Sequence, residues 1–285
     1  MSLKKIIAAA TAGILLFALT GEAAAAPKTV AGHTYKDAAV LDSFIEYYTS
    51  LGVPDVESKL QLLINLRLMG TVSRPGDDVT NFNPNKTLTR WEYTHLYTLL
   101  YCGGAIPDRD ATIDGVRVMG RETCVLLGGI QKPFSDVNPD TNSYPWLMFA
   151  YYNGLVSGYE DGTFRPDIPM TVNAALVTAL VLQGVTKSEI GGWNGGAGGF
   201  LATYMAARGK YGWGADEYLI NIEQESRSGV DASGERRAGG ITRGEAALLF
   251  AALMSKPMFK EVNGQHTYER DGTDTFGRRK GFTNT

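Results

Sequence analysis

The chain of 285 residues repeats a segment of its own sequence, and this repeat constrains the fold more than any other feature. Without gaps, residues 154–171 match residues 72–89 at a glycine, a phenylalanine, a proline and the final threonine. The same window matches residues 225–242 at a serine, a glycine, an arginine and the final threonine. Each window is followed by an apolar stretch typical of a helix. A loop followed by a helix, in the same order three times, predicts one structural unit used three times.

The central copy indicates how one unit folds. Pro145 lies in the first turn of a predicted helix, where its missing N–H group costs nothing, and Gly154 ends that helix. Asp161 and Gly162 predict a tight turn, and a second helix is expected to begin at Thr171. The unit is therefore a helix, a structured loop and a second helix. The sequence predicts a mainly α-helical chain with few short strands.

The second helix opens with Thr-Arg-x-Glu in the two outer copies, at residues 89–92 and 242–245. Threonine followed by glutamate three residues later predicts a capping box, in which each side chain accepts a hydrogen bond from the other residue's N–H. Capping does not explain Arg90 and Arg243, because a cation at a helix N-terminus opposes the helix dipole. We therefore expect these arginines to serve a purpose outside the helix and not to be needed for the fold.

These features together resemble the S-layer homology repeat. Residues 134–137 read Phe-Ser-Asp-Val, and residues 154–167 run from Gly-Leu-Val-Ser-Gly-Tyr to Gly-Thr-Phe-Arg-Pro-Asp, as that family's pattern does. The Thr-Arg-x-Glu signature belongs to the same pattern, and the resemblance covers about residues 34–254. It implies a pseudo-threefold module around a central helix bundle. It also implies grooves between repeats that bind secondary cell-wall polysaccharide, often pyruvylated, or in some relatives a peptidoglycan-linked polymer.

The resemblance implies that arginines bind the acidic groups of such a polymer, since a guanidinium matches a carboxylate with two parallel charge-assisted hydrogen bonds. Arg90 and Arg243 are candidates by their place in the motif. Arg121 is a third, in a Gly-Arg-Glu half-signature before the apolar residues 124–127, where we expect an extra helix to begin. In the central copy the motif reads Thr-Val-Asn-Ala, so Val172 stands where the arginine would be.

Asp136 and Trp146 match positions of the family's groove in the central copy. An acidic side chain can accept hydrogen bonds from sugar hydroxyls, and an aromatic ring can stack on a sugar ring. Each residue also has a structural interpretation, a turn or helix-leading cap for Asp136 and core packing for Trp146. Both interpretations stay open for both residues.

The N-terminus predicts export. Lys4 and Lys5 precede an apolar run that ends near Leu19, and small residues follow at 23–26, which is the layout of a secretory signal peptide. The run falls short of the roughly 20 residues that a membrane-spanning helix needs. The predicted organisation is a signal peptide at 1–26, repeat 1 at 27–103, a connecting segment with a partial motif helix at 104–133, repeat 2 at 134–185, repeat 3 at 186–254 and a polar tail at 255–285.

Composition excludes several other functions. The formal net charge is −3 and no basic patch is present, so we expect no nucleic-acid partner. The three histidines, His33, His95 and His266, have no zinc-ligand spacing with the cysteines, so no metal or other cofactor is expected. Cys102 and Cys124 lie in apolar surroundings, which predicts two free, buried thiols.

Two other function classes were weighed against wall binding. Glu225 followed by Ser226 loosely resembles the catalytic pair of lysozyme-like wall hydrolases, in which a glutamic acid acts as general acid. The same residues are, however, explained as part of the third copy. A structural or assembly protein with inactive grooves is the other alternative, since Val172 replaces an arginine. The sequence favours a wall-binding surface protein that is not an enzyme.

The export signal gives the first prediction. Because a small-residue stretch precedes Pro27, signal peptidase should cut close to that residue. N-terminal sequencing of material secreted by a bacterial host should therefore begin near Pro27. A mature chain that still begins at Met1 would show that the segment is retained.

Overall fold

The computed structural model describes residues 26–30, 32–65, 68–69, 81–101, 112–113, 116–119, 124–125, 133–141, 144–185, 240–256, 258–262 and 265–268. In this part the fold is mainly α-helical with a few short strands, as the sequence predicts. The helices are α1 (Ala38–Ser50), α2 (Val56–Asn65), α3 (Arg90–Tyr101), α4 (Tyr144–Tyr152), α5 (Val172–Leu182) and α6 (Arg243–Met254). The predicted signal peptide lies outside the described residues, apart from the last residue of its range.

Helices α3, α5 and α6 begin where the three motif windows predict, and threonines cap all three. In α6, Thr242 accepts from the N–H of Glu245, whose carboxylate accepts from the N–H of Thr242 at 2.8 Å. Thr89 and Glu92 form the same reciprocal pair at the start of α3. At the start of α5, Thr171 caps without a glutamate, accepting from the N–H three residues later at 3.2 Å. Both predicted capping boxes are confirmed.

Helix α6 lies at the centre of the described structure. All 12 of its residues are buried, and most are apolar, as a helix covered on every side requires. It packs against α2 and α5, while α3 packs against α4 and α5. Helices α3, α5 and α6, the second helices of the three predicted repeats, therefore share one hydrophobic core with α2.

A closed ring of backbone hydrogen bonds joins the three predicted repeats beside this core. The N–H of Leu88 donates to the carbonyl of Ile241 at 2.9 Å, that of Ile241 to Met170 at 2.8 Å, and that of Met170 to Leu88 at 2.9 Å. Each residue comes from a different repeat and directly precedes a capping threonine. Gly240 is required beside the ring, since a Cβ there would overlap the side chain of Thr87.

Loop carbonyls of a neighbouring repeat accept the first N–H groups of two helices. The first two N–H groups of α3 donate to Ile168 and Pro166 in repeat 2, at 2.8 and 3.0 Å. The first two of α6 donate to Lys86 and Pro84 in repeat 1, at 2.9 and 2.8 Å. The first N–H groups of a helix have no partner within it, so each loop satisfies donors that would otherwise be buried without an acceptor.

Short antiparallel sheets complete the described structure. Strands β1 (Lys28–Val30) and β2 (His33–Tyr35) form a hairpin at the start of repeat 1. Strands β3 (Thr112–Ile113), β4 (Val116–Met119) and β5 (Cys124–Val125) form a three-stranded sheet in the connecting segment.

Strand β5 corrects one prediction. The extra helix expected after Gly120 would include Cys124 and Val125, but these residues pair with Met119 and Val118 of β4. Valines suit a pleated strand, and pairing with an adjacent strand satisfies the backbone of a segment too short for a stable helix. Arg121 and Cys102 lie outside the described residues, as does the side chain of Cys124. The expectation of free thiols therefore stays a prediction.

The C-terminal segment contains a hairpin. Within residues 255–285, which the sequence predicts to be a polar tail, β6 (Phe259–Val262) and β7 (Gln265–Tyr268) pair in antiparallel fashion. Their register pairs Val262 with Gln265, which leaves two residues between the strands. Those residues are Asn263 and Gly264, and Asn-Gly between two short strands is a strong hairpin signal in a sequence.

The contact between α6 and α1 gives the second prediction. A Cβ at Gly244 would overlap the ring of Phe44, which is buried in the core. Alanine normally stabilises a helix relative to glycine, but here overpacking should lower the free energy of unfolding by about 1–3 kcal/mol. Urea unfolding of Gly244→Ala tests this. The double variant with Phe44→Leu should recover part of the loss, and a Gly244→Ala protein more stable than wild type would contradict the contact.

Candidate functional site

Asp136 holds the loop of repeat 2. Its Oδ1 accepts a hydrogen bond from the N–H of Phe164 at 2.8 Å, and its Oδ2 accepts from the N–H of Arg165 at 2.7 Å. Arg165 has a left-handed backbone conformation, with φ at 57°. Both carboxylate oxygens thus orient the loop backbone, which supports the turn interpretation of Asp136.

Repeat 1 contains the same clamp. Asp37 accepts from the N–H groups of Phe82 and Asn83, at 2.8 and 2.7 Å, and Asn83 has φ at 54°. Asp37 and Asp136 are therefore structurally equivalent, as are Asn83 and Arg165. A gapless alignment cannot show this equivalence, because 45 residues separate Asp37 from Phe82 while 28 separate Asp136 from Phe164.

Arg90 crosses from repeat 1 to this loop of repeat 2. Its Nε donates to the carbonyl of Phe164 at 2.9 Å, and one Nη donates to the carbonyl of Ser157 at 2.8 Å. The guanidinium carbon lies 4.5 Å from the ring centroid of Phe164 and 5.1 Å from that of Tyr159. The expectation that Arg90 has no part in the fold is therefore wrong, because it binds two loop carbonyls of another repeat.

The charge of Arg90 is not neutralised by an ion pair within the described residues. Asp136 is near enough to favour the charged form, but both its oxygens accept backbone hydrogen bonds. Burial lowers the pKa of Arg90, and the neighbouring charge of Arg165 acts in the same direction. An arginine still stays protonated at any ordinary pH. The boundary between α3 of repeat 1 and the loop of repeat 2 therefore holds a half-buried cation.

Trp146 lies in the core between α3 and α4. It is 7% exposed, and its ring centroid is 4.5 Å from that of His95, which is stacked in turn with Trp91 at 5.7 Å. Trp91 and His95 are both half-exposed. This position supports core packing for Trp146. The more exposed tryptophan beside it is Trp91, which is not among the residues predicted from the sequence.

Arg243 occupies the equivalent boundary between repeats 3 and 1. Its guanidinium carbon lies 5.4 Å from the ring centroid of Phe82, as that of Arg90 lies over Phe164. Its exposure is only 7%. The motif therefore places both arginines against equivalent phenylalanines, but Arg90 is the more accessible.

The other residues considered from the sequence do not lie beside Arg90 in the described part of the chain. Val172 begins α5 and is half-exposed, so the motif supplies no cation at that helix start. Arg121 and Glu225 lie outside the described residues. The structure instead adds Ser157, through its carbonyl, and Tyr159, through its ring, to the surroundings of Arg90.

Comparison with known families identifies the region that contains this loop. Residues 133–171 match the model of the S-layer homology domain. They include Asp136, α4 and the loop that binds Arg90. A search of curated proteins finds no match to the chain.

The chain therefore contains an S-layer homology domain, which is a binding domain and not a catalytic one. Such domains bind cell-wall polymers, and this supports a cell-wall anchoring role at the bacterial surface. In the part of the chain that the structure describes, no helix is long and apolar enough to cross a membrane.

The aspartate clamp gives the third prediction. Asp136→Ala should lower the free energy of unfolding by about 2 kcal/mol, because two backbone N–H groups lose a charged acceptor. Asp37→Ala should have a similar effect, while Asp140→Ala, whose exposed carboxylate makes no hydrogen bond in the described structure, should change little. Urea unfolding of the three variants checks this. An Asp136→Ala protein of wild-type stability that no longer binds cell walls would make Asp136 a ligand residue and not a clamp.

Proposed function

We propose that the three repeats form a cell-wall-binding module, in which Arg90 binds an acidic group of a secondary cell-wall polysaccharide. The protein is exported and held non-covalently on the wall. Its ligand is an anionic polymer linked to peptidoglycan, of the pyruvylated kind that many S-layer homology domains bind. This proposal extends the anchoring role to a particular residue and to the charge of the ligand.

The observation that supports it is the charge of Arg90. Buried charges in proteins are usually paired, because removing an ion from water costs several kcal/mol. Within the described residues Arg90 binds two neutral carbonyls and no carboxylate. Two of its five N–H donors are used in these bonds. An anionic group on a ligand would supply both the missing charge and further acceptors.

The surroundings of Arg90 also suit an extended ligand. The guanidinium lies between the second helix of repeat 1 and the loop of repeat 2, with two aromatic rings beside it. Its two carbonyl hydrogen bonds hold it in place before a ligand arrives. Such pre-organisation reduces the entropy lost on binding.

The fourth prediction concerns this charge. Arg90→Met should weaken binding to purified walls that retain the secondary polymer by about ten- to a hundredfold, as expected for the loss of roughly 1.5–3 kcal/mol. Co-sedimentation with walls, with and without the polymer, measures this. Lys59→Met on α2 removes the same charge away from the loop and should bind normally.

Stability must be measured beside binding, because Arg90 also holds the loop. Thermal unfolding of Arg90→Met gives a temperature at which the variant is folded, and binding is compared there. Arg90→Lys keeps the charge but not the paired donors, so it should recover part of the affinity. A folded Arg90→Met protein that binds as wild type excludes Arg90 as the site. A wild-type protein that does not bind walls refutes the function, and would favour an assembly protein with inactive grooves.

A further inference from the structure

Arg165 stands out among the residues near Arg90 because its backbone conformation does not suit its side chain. Its φ of 57° is in the left-handed region, which is unfavourable for most non-glycine residues and is tolerated best by glycine or asparagine. The equivalent residue of repeat 1 is Asn83, held by the same aspartate clamp. The clamp needs only the backbone N–H of this position, so its geometry accepts asparagine in repeat 1 as well as arginine in repeat 2.

The side chain of Arg165 lies on the surface beside Arg90. It is 46% exposed, and its guanidinium carbon lies 4.0 Å from the ring centroid of Tyr159. Arg90 lies 5.1 Å from the same centroid. One tyrosine ring, 38% exposed, is therefore in contact with two arginines, of which one is half-buried and the other accessible.

Asp161 pairs with Arg165 at this surface. Its Oδ2 accepts from an Nη of Arg165 at 2.8 Å, and its Oδ1 accepts from the N–H of Thr163 at 3.0 Å. Hydrogen bonds from Thr163 and Arg165 lower the pKa of Asp161 to about 2, so the carboxylate stays charged at any ordinary pH. An exposed pair four residues apart contributes little to stability, and a competing anion can replace it at small cost.

We propose that Arg165 is a second anion-binding residue of the wall-polymer site, which Asp161 occupies until an acidic group of the polymer displaces it. This inference rests on the proposed function, since Arg90 binds one acidic group and Arg165 another. The guanidinium of Arg165 already covers Tyr159, so that ring orients the arginine while the guanidinium's exposed donors meet the ligand. The ligand is therefore a polyanion, with acidic groups close enough along the chain to reach two arginines on one tyrosine.

The asparagine of repeat 1 supplies a conservative variant for the test. Arg165→Asn suits the left-handed backbone and keeps the N–H that Asp136 binds, so it should fold at least as stably as wild type. It should weaken binding to purified walls by about three- to tenfold. The slope of affinity against salt concentration should also become shallower, because one fewer cation meets the polymer. A change confined to loop structure would not alter that slope.

Asp161→Asn tests the displacement. Asparagine retains an Oδ1 that can accept from the N–H of Thr163, so the turn is kept while the competing charge is lost. Affinity for walls should rise by about three- to tenfold in the wild-type background and stay unchanged in the Arg165→Asn background. As a control, Glu46→Gln removes one negative charge on the exposed face of α1. This variant should leave the affinity for walls unchanged in both backgrounds.

Soluble competitors identify the acidic group. Polygalacturonate offers closely spaced carboxylates, and inorganic polyphosphate offers closely spaced phosphates. One of the two should compete better with walls for the wild-type protein, and this difference between the two competitors should disappear with Arg165→Asn. If Arg165→Asn binds walls with wild-type affinity and salt dependence, the inference is overturned while the Arg90 site stands. If Arg90→Met also binds as wild type, the proposed site itself fails.

Discussion

The ring of backbone hydrogen bonds among Leu88, Met170 and Ile241 is the constraint on which the rest of the structure depends. Each residue donates to one repeat and accepts from the other, so removing any repeat would leave a buried donor and a buried acceptor without partners. Each such loss costs about 1–3 kcal/mol. The ring also places the starts of α3 and α6 beside the loop of a neighbouring repeat, whose carbonyls accept hydrogen bonds from the first N–H groups of each helix. Arg90 reaches repeat 2 as a direct consequence of this arrangement.

The loops themselves depend on a second interaction, the aspartate clamp. Asp37 and Asp136 each accept hydrogen bonds from two backbone N–H groups, those of a phenylalanine and of the residue after it. The residue after the phenylalanine has a left-handed conformation in both repeats. The backbone geometry is therefore the same in repeats 1 and 2, while the side chain after the phenylalanine is free to differ. Asparagine satisfies the geometry in repeat 1, and in repeat 2 the same position presents an arginine to the surface.

The boundaries between repeats have a similar geometry but differ in the charge and exposure of the residue that begins the helix there. Arg90 and Arg243 lie against equivalent phenylalanines, but Arg243 is 7% exposed while Arg90 is half-buried. Val172 provides no charge at the corresponding helix start. Two neighbouring positive charges, Arg90 and Arg165, lie beside the loop of repeat 2. This loop is part of the region that matches the S-layer homology domain.

The sequence by itself determined the local elements: the capping threonines, the end of α4 just before Gly154 and the turn at Gly162 follow from residues within about four positions of each other. Local signals also existed for the missed hairpin, in Asn263-Gly264. The tertiary structure decided the partners of the site. Arg90 and the carbonyl of Phe164 are 74 residues apart, so neither residue type nor spacing could show that this arginine holds a loop. Trp146 was ambiguous for the same reason, because burial depends on which helix packs over it, and here that helix is α3 of another repeat.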